Sequence, residues 1–190
     1  MESDPHTFLK QDPVLAQLID NHQPIELLPH PDPFERLIIS VINQQLSIAS
    51  ARAIRNRLFE RFEITPTSIL NANKDDLKST GLSAQKVDYI FNISLAFKEG
   101  LSAEKLRSMA DEEVIETLTE IRGVGVWTAK MFLIFVLARE DIFPTEDLGI
   151  RKAMQKLYPS LDTPPKMIEK AEDWRPYRSY ASRYLWTAVD

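Results

Sequence analysis

The stretch Leu118-Thr119-Glu120-Ile121-Arg122-Gly123-Val124-Gly125-Val126-Trp127-Thr128-Ala129 carries the strongest chemical signal in this chain. Two segments of helical apolar spacing are joined by Gly-x-Gly. Glycine accepts positive φ and leaves no Cβ in the way of an approaching group. Such a turn exposes successive backbone N–H groups at the start of the following helix. Those donors, with the positive end of the helix dipole, hold an anion such as a phosphate without any lysine. A turn that only reverses the chain needs the same glycines, and a short motif alone does not separate the two. A dinucleotide-binding turn is excluded because no strand precedes the glycines. A second feature is the carboxylate pair Glu146-Asp147, after the loop Phe143-Pro144-Thr145. A carboxylate at a helix start meets a favourable dipole, and a plain N-cap is the ordinary role of Asp there.

Composition removes several classes of chemistry. There is no cysteine among the 190 residues. That excludes disulfides, Cys-ligated zinc and Cys-ligated iron–sulfur clusters. The three histidines, His6, His22 and His30, are scattered near the N-terminus and read as flexible-region residues. The longest apolar run, Met131 to Ala138, is too short to cross a bilayer. Met1 to Pro5 shows no basic segment followed by an apolar one, so no export signal is expected. The expectation is a soluble, intracellular protein. Its net charge is −5, so any contact with nucleic acid must come from a local basic or N–H-rich face.

The elements that would position these residues read as helices throughout. Phe34, Leu37, Ile38, Val41 and Ile42 form one stripe, and Ala51, Ile54, Leu58 and Phe62 another. Thr65-Pro66 opens a short helix. Val87, Ile90, Phe91 and Ser94 line a helix ending near Gly100. Asp111 caps a helix through Ile121. A helix from Trp127 to Arg139 follows the hairpin, and another runs from about Asp147 to Leu157. Thr163-Pro164-Pro165 and Trp174-Arg175-Pro176 precede the last two, the final one ending at Trp186. Proline is concentrated toward the two ends of the chain. This contrast predicts a central helical lobe over 36–136 that contains the hairpin, and a second lobe formed by 1–35 with 137–190.

Leu-x-x-Ile-x-Gly-Val-Gly-x-x-Thr-Ala resembles the helix–hairpin–helix motif of DNA-repair proteins. From there the chain resembles the helix–hairpin–helix DNA glycosylase superfamily, most of all the DNA-3-methyladenine glycosylase II type. Asp141 to Arg151 resembles the family loop with its essential Asp, at the family's spacing from Gly125. Ile42 to Ser47 resembles the segment that carries the DNA wedge, and Leu82 to Val87 a further family segment. Trp174-Arg175-Pro176-Tyr177-Arg178-Ser179-Tyr180-Ala181 resembles a stretch of the 3-methyladenine branch. The likeness spans about residues 34–188, and it is to compact members without an N-terminal β-rich domain.

The resemblance implies an all-α fold of two helical lobes with a cleft between them. It implies a monofunctional glycosylase that hydrolyses the N-glycosidic bond of alkylated bases flipped out of duplex DNA. Asp147 would stabilise the cation-like sugar and orient water, with Glu146 the neighbouring candidate. Trp127, Met131 and Trp186 would line a base pocket, where electron-rich rings attract a cationic purine. Trp174 reads as core. Gln44, Gln45 and Leu46 are the wedge candidates. Gly123, Gly125 and Thr128 would contact the DNA backbone. Arg52, Arg55, Arg57 and Arg61 read as a solvated face. Lyase members carry a lysine where this chain has Trp127, which disfavours a Schiff base. No cofactor is expected beyond a monovalent cation on the hairpin carbonyls. The expected partner is double-stranded DNA with alkylated bases, for a monomer working in the cytoplasm or nucleoid if the source is bacterial. A non-catalytic hairpin module, a helical protein-interaction domain and a glycosylase for deaminated or oxidised bases remain open.

Overall fold

A computed structural model describes residues 4–189. Met1 to Ser3, on which the reading of a missing export signal partly rests, lie outside the described residues. The described residues form helices and connecting turns, with no strand. None of these helices is long and apolar enough to cross a membrane. The chain divides into two compact units, Met1–Pro29 with Leu133–Asp190, and His30–Phe132.

The unit His30–Phe132 contains α3 (Pro33–Asn43), α4 (Ile48–Arg61), α5 (Pro66–Asn71), α6 (Lys74–Ser79), α7 (Ala84–Lys98), α8 (Ala103–Ser108) and α9 (Asp111–Thr119). Helix α7 packs against α3 and α5. Leu37, Ile38, Val41, Ile42, Ile69, Val87, Ile90 and Ile93 are buried there. Each such aliphatic side chain contributes roughly 1.5–3 kcal/mol when fully removed from water. Helix α10 (Val126–Phe135) begins in this unit and ends in the other.

The other unit holds α1 (Pro5–Leu9), α2 (Pro13–Asp20), α11 (Leu148–Leu157), α12 (Pro164–Glu172) and α13 (Arg178–Trp186). Helix α13 packs on α11 and α2 around Trp174, Tyr184, Met154 and Leu15. Trp174 is core, as its sequence context suggests, with 1% of its surface exposed.

The prolines have a local explanation. Pro5, Pro13, Pro33, Pro66 and Pro164 each open a helix, directly after an Asp or Thr at the cap position. Proline suits the first helical turn because its missing N–H has no intrahelical acceptor there.

Asp12 is a cap with several connections. Its carboxylate accepts from the Val14 N–H at 2.9 Å and from the buried Trp174 indole at 3.1 Å. It also pairs with Lys170 at 2.9 Å. Burial opposes the ionised form, yet Lys170, the indole and the Val14 N–H outweigh it and hold the carboxyl below its ordinary value. The folded pKa is depressed, so this stabilisation is complete above the ordinary Asp range and is lost as pH falls through the lowered value. Asp12→Ala should cost about 2–4 kcal/mol, since it strands a buried indole N–H and removes a cap. Thermal melting at neutral pH checks the size, and the gap between variant and wild type should shrink in acid.

Several expectations need correction. The helix after the hairpin stops at Phe135, not Arg139, and Ala138 turns the chain with a φ of 56°. Asp111 is the first residue of α9 and not its cap. Ala110 holds the cap position, and its N–H donates to the Glu113 side chain at 2.8 Å. The histidines have partners in the fold. His6 packs edge-on against Tyr180 and Tyr184, and His22 bonds the Leu18 carbonyl. The arginines of α4 do form an exposed face, with Arg52, Arg57 and Arg61 exposed and Arg55 half-buried, and two of them also bond the end of α6. Arg57 donates to the Thr80 carbonyl at 2.7 Å and Arg61 to the Ser79 hydroxyl at 2.6 Å.

Candidate active site

Asp147 is the N-cap of α11. Its Oδ1 accepts the Ile150 N–H at 2.9 Å, the ordinary capping bond. The same oxygen accepts the Trp186 indole N–H at 2.8 Å. The carboxylate is therefore fixed by α11 and by the end of α13. The room for this comes from Gly149. A Cβ there would lie 3.0 Å from Asp147 Oδ1 and 3.0 Å from the Trp186 ring. Glu146 is exposed, and its backbone carbonyl accepts from Arg151.

Trp186 stacks on Phe135, with centroids 5.6 Å apart, and Arg183 lies over the other ring at 5.1 Å. Burial pulls the Arg183 guanidinium below its usual pKa. An open recess of about 510 Å³ is walled by Phe135, Arg183 and Trp186 with His22 and Ile25. The segment leading to Asp147 is held by the start of α13. Arg178 clasps Asp141 at 2.6 Å and Glu172 at 2.9 Å. The Ser179 hydroxyl accepts the Ile142 N–H at 2.9 Å. Arg178 and Ser179, inside the stretch Trp174 to Ala181 noted in the sequence, thus anchor the segment that leads to the carboxylate.

The remaining candidates belong to His30–Phe132. Between α3 and α4 the chain turns at Gln45, whose φ is 56°. Gln45 and Leu46 are exposed, and Gln44 is half-buried. The Gln44 amide donates to the Gly123 carbonyl at 3.1 Å, so turn and hairpin are linked directly. Gly123 has a φ of 110°, and Tyr89 covers it. Gly125 faces open space. The Thr128 side chain is buried, so what it can offer a DNA phosphate is its backbone N–H. Trp127 is 41% exposed at the start of α10, and Met131, one helical turn later, is half-buried.

The structure thus brings Asp147 to Trp186, and Gln44 to Gly123. Sequence reasoning missed Phe135, Gly149, Arg183 and Lys86. Gly149 had a visible signal, a glycine in the first turn of a helix. Lys86 sits inside the noted segment Leu82 to Val87, yet its acceptors are backbone carbonyls. Charge is also segregated. No Asp or Glu occurs from Arg36 through Phe59 or from Ile121 through Arg139, the stretches that contain the turn and the hairpin. The acidic residues that make the net charge negative lie elsewhere, leaving these faces open to a polyanion.

Comparisons with known proteins identify the family. Residues 38–177 match the HhH-GPD superfamily base excision DNA repair protein family. DNA-3-methyladenine glycosylase 1 of Schizosaccharomyces pombe is 35% identical over 181 residues, covering 90% of this chain and 79% of that protein. The crystal structure of a Bacillus halodurans DNA-3-methyladenine glycosidase superposes with a TM-score of 0.87 at 32% identity, covering 99% of this chain and 90% of that one. The Schizosaccharomyces pombe 3-methyladenine DNA glycosylase in complex with abasic DNA gives 0.86 at 31% identity, covering 98% and 97%. With a family match across most of its length, the chain belongs to the HhH-GPD superfamily of base excision DNA repair proteins.

Proposed function

We propose that the protein is a monofunctional DNA glycosylase that hydrolyses the N-glycosidic bond of alkylated, 3-methyladenine-type bases in duplex DNA. The carrying observation is the Asp147 carboxylate, fixed by the Ile150 N–H and the Trp186 indole, in a chain of this family. An N-glycosidic bond breaks through a cation-like sugar, and a fixed carboxylate stabilises that charge and orients the attacking water. The base must first leave the stack. Gln45 and Leu46, exposed at the turn, fill the gap, and Gln44 ties that turn to the hairpin. Trp127, Met131 and Trp186 are the side chains whose chemistry suits a flipped cationic base. Gly123, Gly125 and Thr128 present the hairpin N–H groups to a phosphate. The relatives' names as 3-methyladenine glycosylases, and the solved complex of one with abasic DNA, support the substrate class.

A monovalent cation on the hairpin is compatible with the residues present. The carbonyls of Ile121, Arg122 and Gly123 each accept one N–H, from Val124, Asn92 and Gln44. Each oxygen keeps a second lone pair for a weakly held ion, which would add positive charge beside a phosphate. The protein works as a monomer where genomic DNA is, in a bacterium the cytoplasm or nucleoid.

The test is base release from duplexes carrying 3-methyladenine, 7-methylguanine, hypoxanthine or ethenoadenine. Free alkylated base and an intact abasic strand, nicked only after alkali, are the expected products. Borohydride during turnover should trap no protein–DNA adduct, because Trp127 offers no amine. An adduct formed in proportion to excision would overturn the hydrolytic reading. Binding without release of any base would leave a DNA-binding module.

A further inference from the structure

We propose that Lys86 is a positioning residue for base flipping, holding the Gln44–Leu46 turn in register with the hairpin. This rests on the glycosylase reading above. Lys86 Nζ donates to the carbonyls of Ile42 and Gln44, both at 2.7 Å. Ile42 lies in the last turn of α3 and Gln44 is its C-cap, where carbonyls have no intrahelical donor. An ammonium there also meets the negative end of the helix dipole. No carboxylate pairs with Lys86 among the described residues, and burial pulls its pKa below the usual lysine value. The two carbonyls are what this cation is spent on.

The held carbonyl of Gln44 directly precedes Gln45, the left-handed residue at the tip of the turn. The Gln44 side chain fixes the other side of the turn to Gly123. Helix α7 reaches the hairpin as well. Asn92 donates to the Arg122 carbonyl at 3.2 Å, and the Tyr89 side chain lies against Gly123. One helix therefore sets both the turn that enters the duplex and the hairpin that grips a phosphate. The distance between wedge and phosphate is fixed before DNA arrives. A loose turn would have to be ordered at the moment the base pair opens, and that cost falls on flipping alone.

This predicts a defect that depends on base pairing. Single-turnover excision of 7-methylguanine is compared opposite cytosine and opposite an abasic site, where no pair has to be broken. Lys86→Met should slow the paired substrate about tenfold and the unpaired one by no more than about twofold, the loss of charge-assisted hydrogen bonds falling on flipping. Lys86→Arg should restore part of the paired rate. Amide hydrogen exchange at Gln45 to Ser47 should rise in Lys86→Met. Should that variant fail to melt cooperatively, Lys86→Gln, which keeps one donor group, serves the same comparison. Equal slowing on both substrates, or none on the paired one, overturns the proposal. If the wild type releases base from neither duplex, and no 3-methyladenine, hypoxanthine or ethenoadenine from a paired one, the glycosylase reading fails, and exchange at 45–47 still decides whether Lys86 holds the turn.

Discussion

Asp147→Asn is expected to stop base release while leaving duplex binding nearly intact. Asparagine has the same shape and caps a helix about as well as Asp. Its amide oxygen can still accept the Ile150 N–H and the Trp186 indole, the two bonds that hold Oδ1. What disappears is the negative charge proposed to face the developing sugar cation. Removing one preorganised electrostatic contact commonly costs 10²–10³-fold, and a full charge is worth more than a dipole, so a fall of at least about a thousandfold is expected. Each 1.36 kcal/mol of lost stabilisation is about tenfold in rate. Single-turnover kinetics on a 7-methylguanine duplex measures the loss, and anisotropy on an abasic duplex measures binding. A rate within about tenfold of wild type would remove Asp147 from the mechanism.

Gly123→Ala should be the most damaging small change in the hairpin. Gly123 has a φ of 110°, a conformation that side chains rarely adopt. The added Cβ would lie 2.3 Å from Tyr89 Cγ and 2.6 Å from its neighbours. The turn must move, and the Gln44 and Asn92 bonds to its carbonyls move with it. Overpacking plus backbone strain should cost about 2–4 kcal/mol in stability. Affinity for damaged and undamaged duplex should fall together, by roughly tenfold or more, since a phosphate contact carries no base information. Gly125→Ala is the matched control. Nothing lies within 4 Å of its added Cβ. It should melt like wild type and weaken DNA binding, because the space it fills is where the strand is proposed to approach. Calorimetry and binding isotherms separate the cases. If Gly125→Ala binds normally, that space has no part in DNA contact.

Local features of this molecule were legible in the sequence, and distant pairings were not. Thr65-Pro66 marks a helix start because cap and proline act within one turn. Gly100, with a φ of 113°, marks the stop after α7 because glycine tolerates that geometry. The end of α10 carried no such mark, since apolar residues continue past Phe135 and the turn is made by an alanine. At the site, Asp147 was visible as a carboxylate at a helix start. Its indole partner is 39 residues away, and no periodicity connects them. Trp186 could therefore be read as a pocket wall but not as a donor to the carboxylate. Lys86 was hidden for another reason. It binds backbone oxygens, and a carbonyl looks the same whatever residue carries it.

The left-handed Gln45 sets a limit on how this protein could be improved. A side chain in that backbone region costs about 1–2 kcal/mol relative to glycine. Selection for heat resistance alone would favour glycine there, and asparagine next. Glycine would erase the side chain proposed to enter the duplex. Thermal tolerance and base flipping thus compete at one position, and a library screened only for melting temperature would drift toward a sturdier protein left with Leu46 alone to fill the gap.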